Sequence, residues 1–181
     1  MDVLPGGQLH DTATGGENNM CEAEDAFVGA VLHMAVPTAK GALDLVHDDD
    51  LADLLNQRIV TVARVLVAEG VAPDPVAVFA RARAHGVVTG VDATKALGMK
   101  LGDVYGSVPT PASWRYYGLA VIDEALRRRC IAMGTRVMQA AEGCPLDVLI
   151  DVLDAECRVV RRLHDRRLAA ATPPRLKAVG A

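Results

Sequence analysis

From Pro111 to Gly143 nothing in the sequence stops a helix, and after one break at Gly143-Cys144-Pro145 a second helical pattern runs on to about residue 167. Only two isolated glycines, Gly118 and Gly134, interrupt the first run, each costing roughly 1 kcal/mol relative to alanine. About thirty helical residues make a rod about 45–50 Å long. Along it Leu119, Ile122, Leu126, Cys130, Met133, Val137 and Ala140 recur in steps of three and four, close to a coiled-coil seam. The second run repeats the pattern with Leu146, Leu149, Ile150, Leu153, Cys157, Val160 and Leu163. Two long helices joined by a few residues fold back as an antiparallel hairpin. Such a hairpin leaves one apolar flank uncovered, and a second copy is the simplest cover. The predicted self-association seam is Leu119, Ile122, Leu126, Met133, Val137, Leu146, Leu149, Ile150, Leu153 and Val160.

The residues before this hairpin read as a small helical bundle. Residues 1–18 carry no periodicity and are predicted to be a disordered leader. Asn19 and Glu22 have capping-box spacing, which starts a helix at Asn19. Ala23, Ala26, Phe27, Ala30, Val31 and Met34 follow at helical intervals, and Pro37 is expected to end it. A short helix over about 38–46 comes next. Asp48–Asp50 then place negative charge where a helix begins, ahead of the stripe Leu51, Leu54, Leu55, Ile59, Val62 and Leu66. Gly70 closes that helix. A further helix over about 75–85 is expected to turn Val76, Phe79 and Ala80 inward, and another spans about 92–105. Thr110 is a suitable N-cap for the long helix, with Pro111 at its first position. Strand patterns are nearly absent. The predicted architecture is all-α: leader 1–18, globular helical head 19–106, hairpin 107–168 and flexible tail 169–181.

Apolar residues make up 51% of the chain but aromatics only 3%, so the core is expected to be aliphatic helix faces. No apolar run reaches the roughly 18–20 residues that span a bilayer. The first residues lack the basic and apolar regions of a signal peptide, and Cys21, Cys130, Cys144 and Cys157 form no C-x-x-C pair. A cytoplasmic protein with reduced thiols and no zinc site is the expectation. There is no P-loop, no G-x-G-x-x-G, no H-E-x-x-H and no G-x-S-x-G elbow, and His10, His33, His47, His85 and His164 are scattered. Glu22 and Glu24 read as cap and surface charge. No catalytic, cofactor-binding or metal-binding residue is predicted.

Charge divides unevenly. Residues 1–111 are acidic and residues 112–181 basic, although the whole chain carries −4. Trp114, Tyr116 and Tyr117 lie close before Arg127–Arg129. Trp114, Tyr117 and Val121 share one helical face, which suits the junction between head and hairpin. Three consecutive arginines point about 100° apart and form no single patch; Asp123 and Glu124 stand four before Arg127 and Arg128, the favourable orientation for helix pairs. A second reading is a small helical DNA-binding regulator using Arg158, Arg161, Arg162, Arg166 and Arg167, although cations also suit a helix C-terminus.

Several segments together resemble the N-terminal domain of DnaB-type bacterial replicative helicases. The family's opening N-x-E-A-E-x-x-V-L-G is met by Glu22, Ala23, Glu24, Val28 and Gly29, with Val28 standing directly before the glycine. Gln57-Arg58-Ile59-Val60 and Gly70, Asp74 and Val78 correspond to the next signatures. Val108, Pro109, Ala112, Tyr116, Tyr117 and Ile122 meet V-P-S-A-A-N-x-x-Y-Y-A-x-I-V, and Arg128-Arg129 follow in place. The resemblance spans about residues 18–160; the order and spacing of its motifs are more specific than any one of them. It implies a helical head with a hairpin that dimerises, as a dimer or trimer of dimers, and forms a collar contacting primase. The family's ATPase motor is absent from this sequence. The resemblance therefore implies a non-catalytic replication module whose partners are a replicative helicase, primase or helicase loader.

Overall fold

The computed structural model describes residues 13–171, with side chains from Glu22 onward. Among them there is no strand. The chain forms α1 (Ala13–Leu32), α2 (Val36–Leu45), a 3-10 turn (Asp48–Asp50), α3 (Leu54–Ala68), α4 (Pro75–Ala84), α5 (Val91–Ser107), a second 3-10 turn (Pro111–Ser113), α6 (Trp114–Gly143) and α7 (Leu146–Ala171). The first five helices and the base of α6 build the head; α6 and α7 form the antiparallel hairpin.

Helix α1 is the centre of the head. Phe27, Val28, Ala30, Val31 and Leu32 are all buried, and a helix that is apolar around its whole girth has to be covered on every side. Helices α2, α3, α5 and α6 supply that cover. Two glycines permit the closest approaches. A Cβ on Gly29 would lie 2.1 Å from the carbonyl oxygen of Val104 on α5, and one on Gly118 of α6 would meet Leu45 at 2.9 Å and Phe27 at 3.3 Å.

Several helix ends follow directly from local chemistry. Asp53 caps α3 by accepting from the Leu55 N–H at 2.7 Å, and Asp74 caps α4 by accepting from Val76 and Ala77 at 2.9 Å each. Both helices end at a glycine of positive φ, Gly70 at +79° and Gly86 at +65°. The next N–H turns back in each case, Val71 to Leu66 and Val87 to Ala82, the hydrogen-bond pattern of a Schellman cap.

Some boundaries fall elsewhere than the sequence suggests. Helix α1 begins at Ala13, so Asn19 lies inside the helix and not at its start. Of the expected leader, residues 13–18 are helical, and residues 1–12 lie outside the described residues. Residues 169–171 of the expected tail continue α7, and residues 172–181 lie outside the described residues. Pro37 opens α2 rather than closing α1, because its missing N–H costs nothing in a first turn. Asp48–Asp50 form their own turn, and α3 waits for Asp53. Thr110 makes no side-chain cap bond. On α4 the inner residues are Val78 and Ala82, while Val76 and Ala80 face solvent and Phe79 is half-buried.

Candidate interaction surface

The hairpin joins the head first through apolar contact. Val121, Ile122 and Ala125 of α6 are buried with Phe27 and Val46, and Leu126, Trp114 and Tyr117 pack partly buried against the same cluster. Ile122 is therefore a core residue of its own chain and has no surface to offer a second copy. The aromatic Tyr116 is exposed and stands edge-on to Tyr117.

Past this core the joint becomes ionic. Glu24 is buried to 2% exposure, which corrects its reading as surface charge. Its carboxylate accepts from the N–H groups of Ala52 at 2.7 Å and Asp53 at 3.1 Å, and Arg128 Nη1 lies 3.5 Å from it. Arg128 also donates to the carbonyl of Asp50. The Asp50 carboxylate, itself buried, accepts from the His47 N–H at 2.7 Å and from Arg166 of α7 at 2.5 and 2.6 Å. Arg129 reaches Asp49 at 3.1 Å, and Arg167 grips Asp123 of α6 through two hydrogen bonds of 2.7 and 3.1 Å. Buried carboxylates are costly unless paired, and here helices α6 and α7 bring the pairing cations. The uneven charge along the sequence is thus partly spent inside the molecule: the basic hairpin meets the acidic head. Asp123 holds Arg167 rather than Arg127, which pairs loosely with Glu124 at 3.7 Å.

A second network ties α1, α3 and α5. Lys100 sits 2.7 Å from Asp25 and 2.8 Å from Asp53, and buried Asn56 donates to Asp25 at 2.8 Å. Burial alone would raise the Asp53 carboxyl, but hydrogen bonds from Lys100 and from the backbone of Leu55 and Asn56 outweigh it and hold the group below its usual 3.8. For Lys100, burial acts to lower the ammonium value, and the two aspartates overcome it, leaving it above 10.5.

Beyond the head, among the described residues, the two helices pack only against each other. Ala140 is buried between them and Arg136 bridges to Glu156 at 2.6 Å. Leu119, Met133, Val137, Leu149, Leu153 and Val160 are half-buried, whereas Leu146 and Ile150 stand exposed. The sequence reading missed Ile131 and Met138, 72% and 67% exposed on α6; each lies one residue after a position assigned to the seam. Cys130, Cys144 and Cys157 are exposed and unbridged. Of the five arginines considered for nucleic acid, Arg166 and Arg167 are committed to Asp50 and Asp123, while Arg158, Arg161 and Arg162 are exposed on α7. No group of three or more His, Cys, Asp or Glu able to hold a metal occurs among the described residues, nor is any of their helices long and apolar enough to cross a membrane.

These features define an all-α protein with a helical head and a projecting two-helix arm. No protein-family model matches the sequence, and no curated protein matches it. Its structure is similar to the crystal structure of the N-terminal domain of DnaB helicase from Mycobacterium tuberculosis, with a TM-score of 0.66 and 24% identity, over 76% of this chain and 95% of that one. The chain has the fold of a DnaB N-terminal domain, in agreement with the resemblance carried by its motifs.

Proposed function

We propose that this chain is a non-catalytic, cytoplasmic module of DNA replication that self-associates through its hairpin, as a dimer or trimer of dimers, and binds a replicative helicase, primase or helicase loader. The observation that carries this reading is the outer hairpin. Ile131 and Met138 on α6, with Leu146 and Ile150 on α7, expose large apolar side chains on the outer part of two helices that no third described element covers. Water-exposed surface of this kind is stabilised by burial at about 25 cal/mol per Å², and a symmetric second copy offers the same surface in return. The DnaB N-terminal fold supports the replication setting. The DNA-binding alternative is weaker, since Arg166 and Arg167 are already spent on carboxylates.

Light scattering of the chain at micromolar concentration tests the self-association. A dimer or larger species is expected, and Ile131→Asp with Ile150→Asp should shift it toward monomer without unfolding, because both side chains are exposed in the single copy. A wild-type monomer at all concentrations refutes the hairpin role. Capture of helicase or primase by the tagged chain tests the partner.

A further inference from the structure

Helices α4 and α5 enclose a long open groove lined by Phe79, Arg83, Val91, Lys95, Gly98 and Met99. Two glycines make it. Gly90 has a φ of +87° where α5 begins, and Gly98 lets the Phe79 ring lie under α5, so that a Cβ there would touch the ring at 3.4 Å. Val91 and Met99 are 83% and 59% exposed along one face of α5, and Val76 continues the apolar line one turn along α4 from Phe79. This is the face of α4 that the sequence pattern would have turned inward.

Most cations of the head are neutralised: Lys40, Arg64, Arg81 and Lys100 each hold a carboxylate, while Arg58 stands exposed on α3 without an ion pair among the described residues. Arg83 and Lys95 hold none among the described residues; Arg83 instead lies 5.8 Å over the Phe79 ring. Asp92, three positions before Lys95 on α5, makes no ion pair with it. A head with a surplus of acid therefore carries two unneutralised cations beside one apolar groove. A groove between two helices presents no sheet edge, so it suits a helix laid along it, with apolar anchors below and charges at the rim.

We infer that this groove docks an acidic amphipathic helix of a partner protein, whose apolar side chains settle among Phe79, Val91 and Met99 while its carboxylates meet Arg83 and Lys95. The inference does not depend on hairpin self-association, because the two surfaces lie on different helices.

The probe is a fluorescein-labelled amphipathic peptide with leucines on one face and glutamates on the other, beside a twin carrying lysines for the glutamates. Anisotropy against the full chain should show saturable binding of the glutamate peptide, weakened by salt. Gly98→Leu, which fills the groove from a helical position, and Lys95→Glu, which reverses the rim charge, should each weaken binding about tenfold or more. Ile150→Asp should leave it unchanged. Circular dichroism confirms that the variants fold. Four results overturn the inference: equal binding of the lysine twin, binding indifferent to Gly98→Leu and Lys95→Glu, no binding at about 0.1 mM peptide, or a changed oligomeric state in the groove variants, which would assign the groove to a second copy.

Discussion

Replacing Gly29 by alanine should push α1 away from α5. The new Cβ would sit 2.1 Å from the Val104 carbonyl oxygen and 3.0 Å from its carbon. Both are backbone atoms in the last turn of α5, so no side chain can swing aside. Reaching even 3.0 Å from the oxygen requires the helices to part by about 0.9 Å. That separation loosens contacts along the whole crossing, including the Asp25–Lys100 ion pair at one end and the stacked His33 and Tyr105 rings at the other. Overpacking of a tight core costs roughly 1–3 kcal/mol, set against about 0.4–1 kcal/mol gained by restricting the unfolded chain. A backbone obstacle belongs at the upper end, giving a net loss of about 2 kcal/mol. For a chain of this length that lowers the melting temperature by about 4–8 °C. Gly134→Ala is the internal control. Nothing lies within 4 Å of that position, so the same change should stabilise by about 0.4–1 kcal/mol. Gly118→Ala should fall between them, because the nearest atom it meets is the end of the Leu45 side chain. Urea unfolding followed by circular dichroism measures all three. A Gly29→Ala midpoint equal to or above wild type would refute the close crossing of α1 and α5.

Two further measurements address the ionic joints. Asp50→Ala leaves Arg166 without its carboxylate; loss of a buried partner costs about 3–5 kcal/mol, reduced here to about 2–3 because Arg166 is partly solvated. Urea unfolding reads that loss, and the double variant with Arg166→Met should recover part of it. Asp53 has a folded value below its unfolded 3.8, so its contribution is complete above pH 3.8 and is lost as pH falls through the folded value. The stability of Asp53→Asn should accordingly decline less steeply than wild type between about pH 4 and pH 2. The raised value of Lys100 predicts the opposite limb: its contribution is complete below 10.5 and is lost as pH rises beyond the folded value, a loss that Lys100→Met should abolish.

Much of the fold was legible because the strongest signals are local. The helix end at Gly70, the unbroken run to Gly143 and the hairpin turn each depend on a few neighbouring residues. The misreadings share a different cause. Val76 and Leu54 fit apolar stripes yet lie exposed, because periodicity marks a face without saying whether another helix reaches it. Glu24, Asp50 and Arg166 were given other roles, as surface charge, helix-start charge and nucleic-acid contact, because their actual pairing joins residues as far apart as Asp50 and Arg166, which no window along the chain connects. The uneven charge of the two parts held that information in coarse form, as an attraction without an address. Ile131 and Met138 were passed over for neighbours one step away, since a seam assigned by period alone carries an error of about 100° in direction.

Past the Arg129–Asp49 pair the arm runs free of the described head from Cys130 to Gly143, about 21 Å of helix. A pair of helices clamped at one end and open at the other must unravel from the loose end, by small local openings that grow rarer toward the clamp. Backbone amides near Gly143 and Leu146 should therefore trade hydrogen for deuterium fastest and those near Val121 slowest. A body seated on the outer arm would slow exchange first at the far end, so the arm carries its own gauge of occupancy.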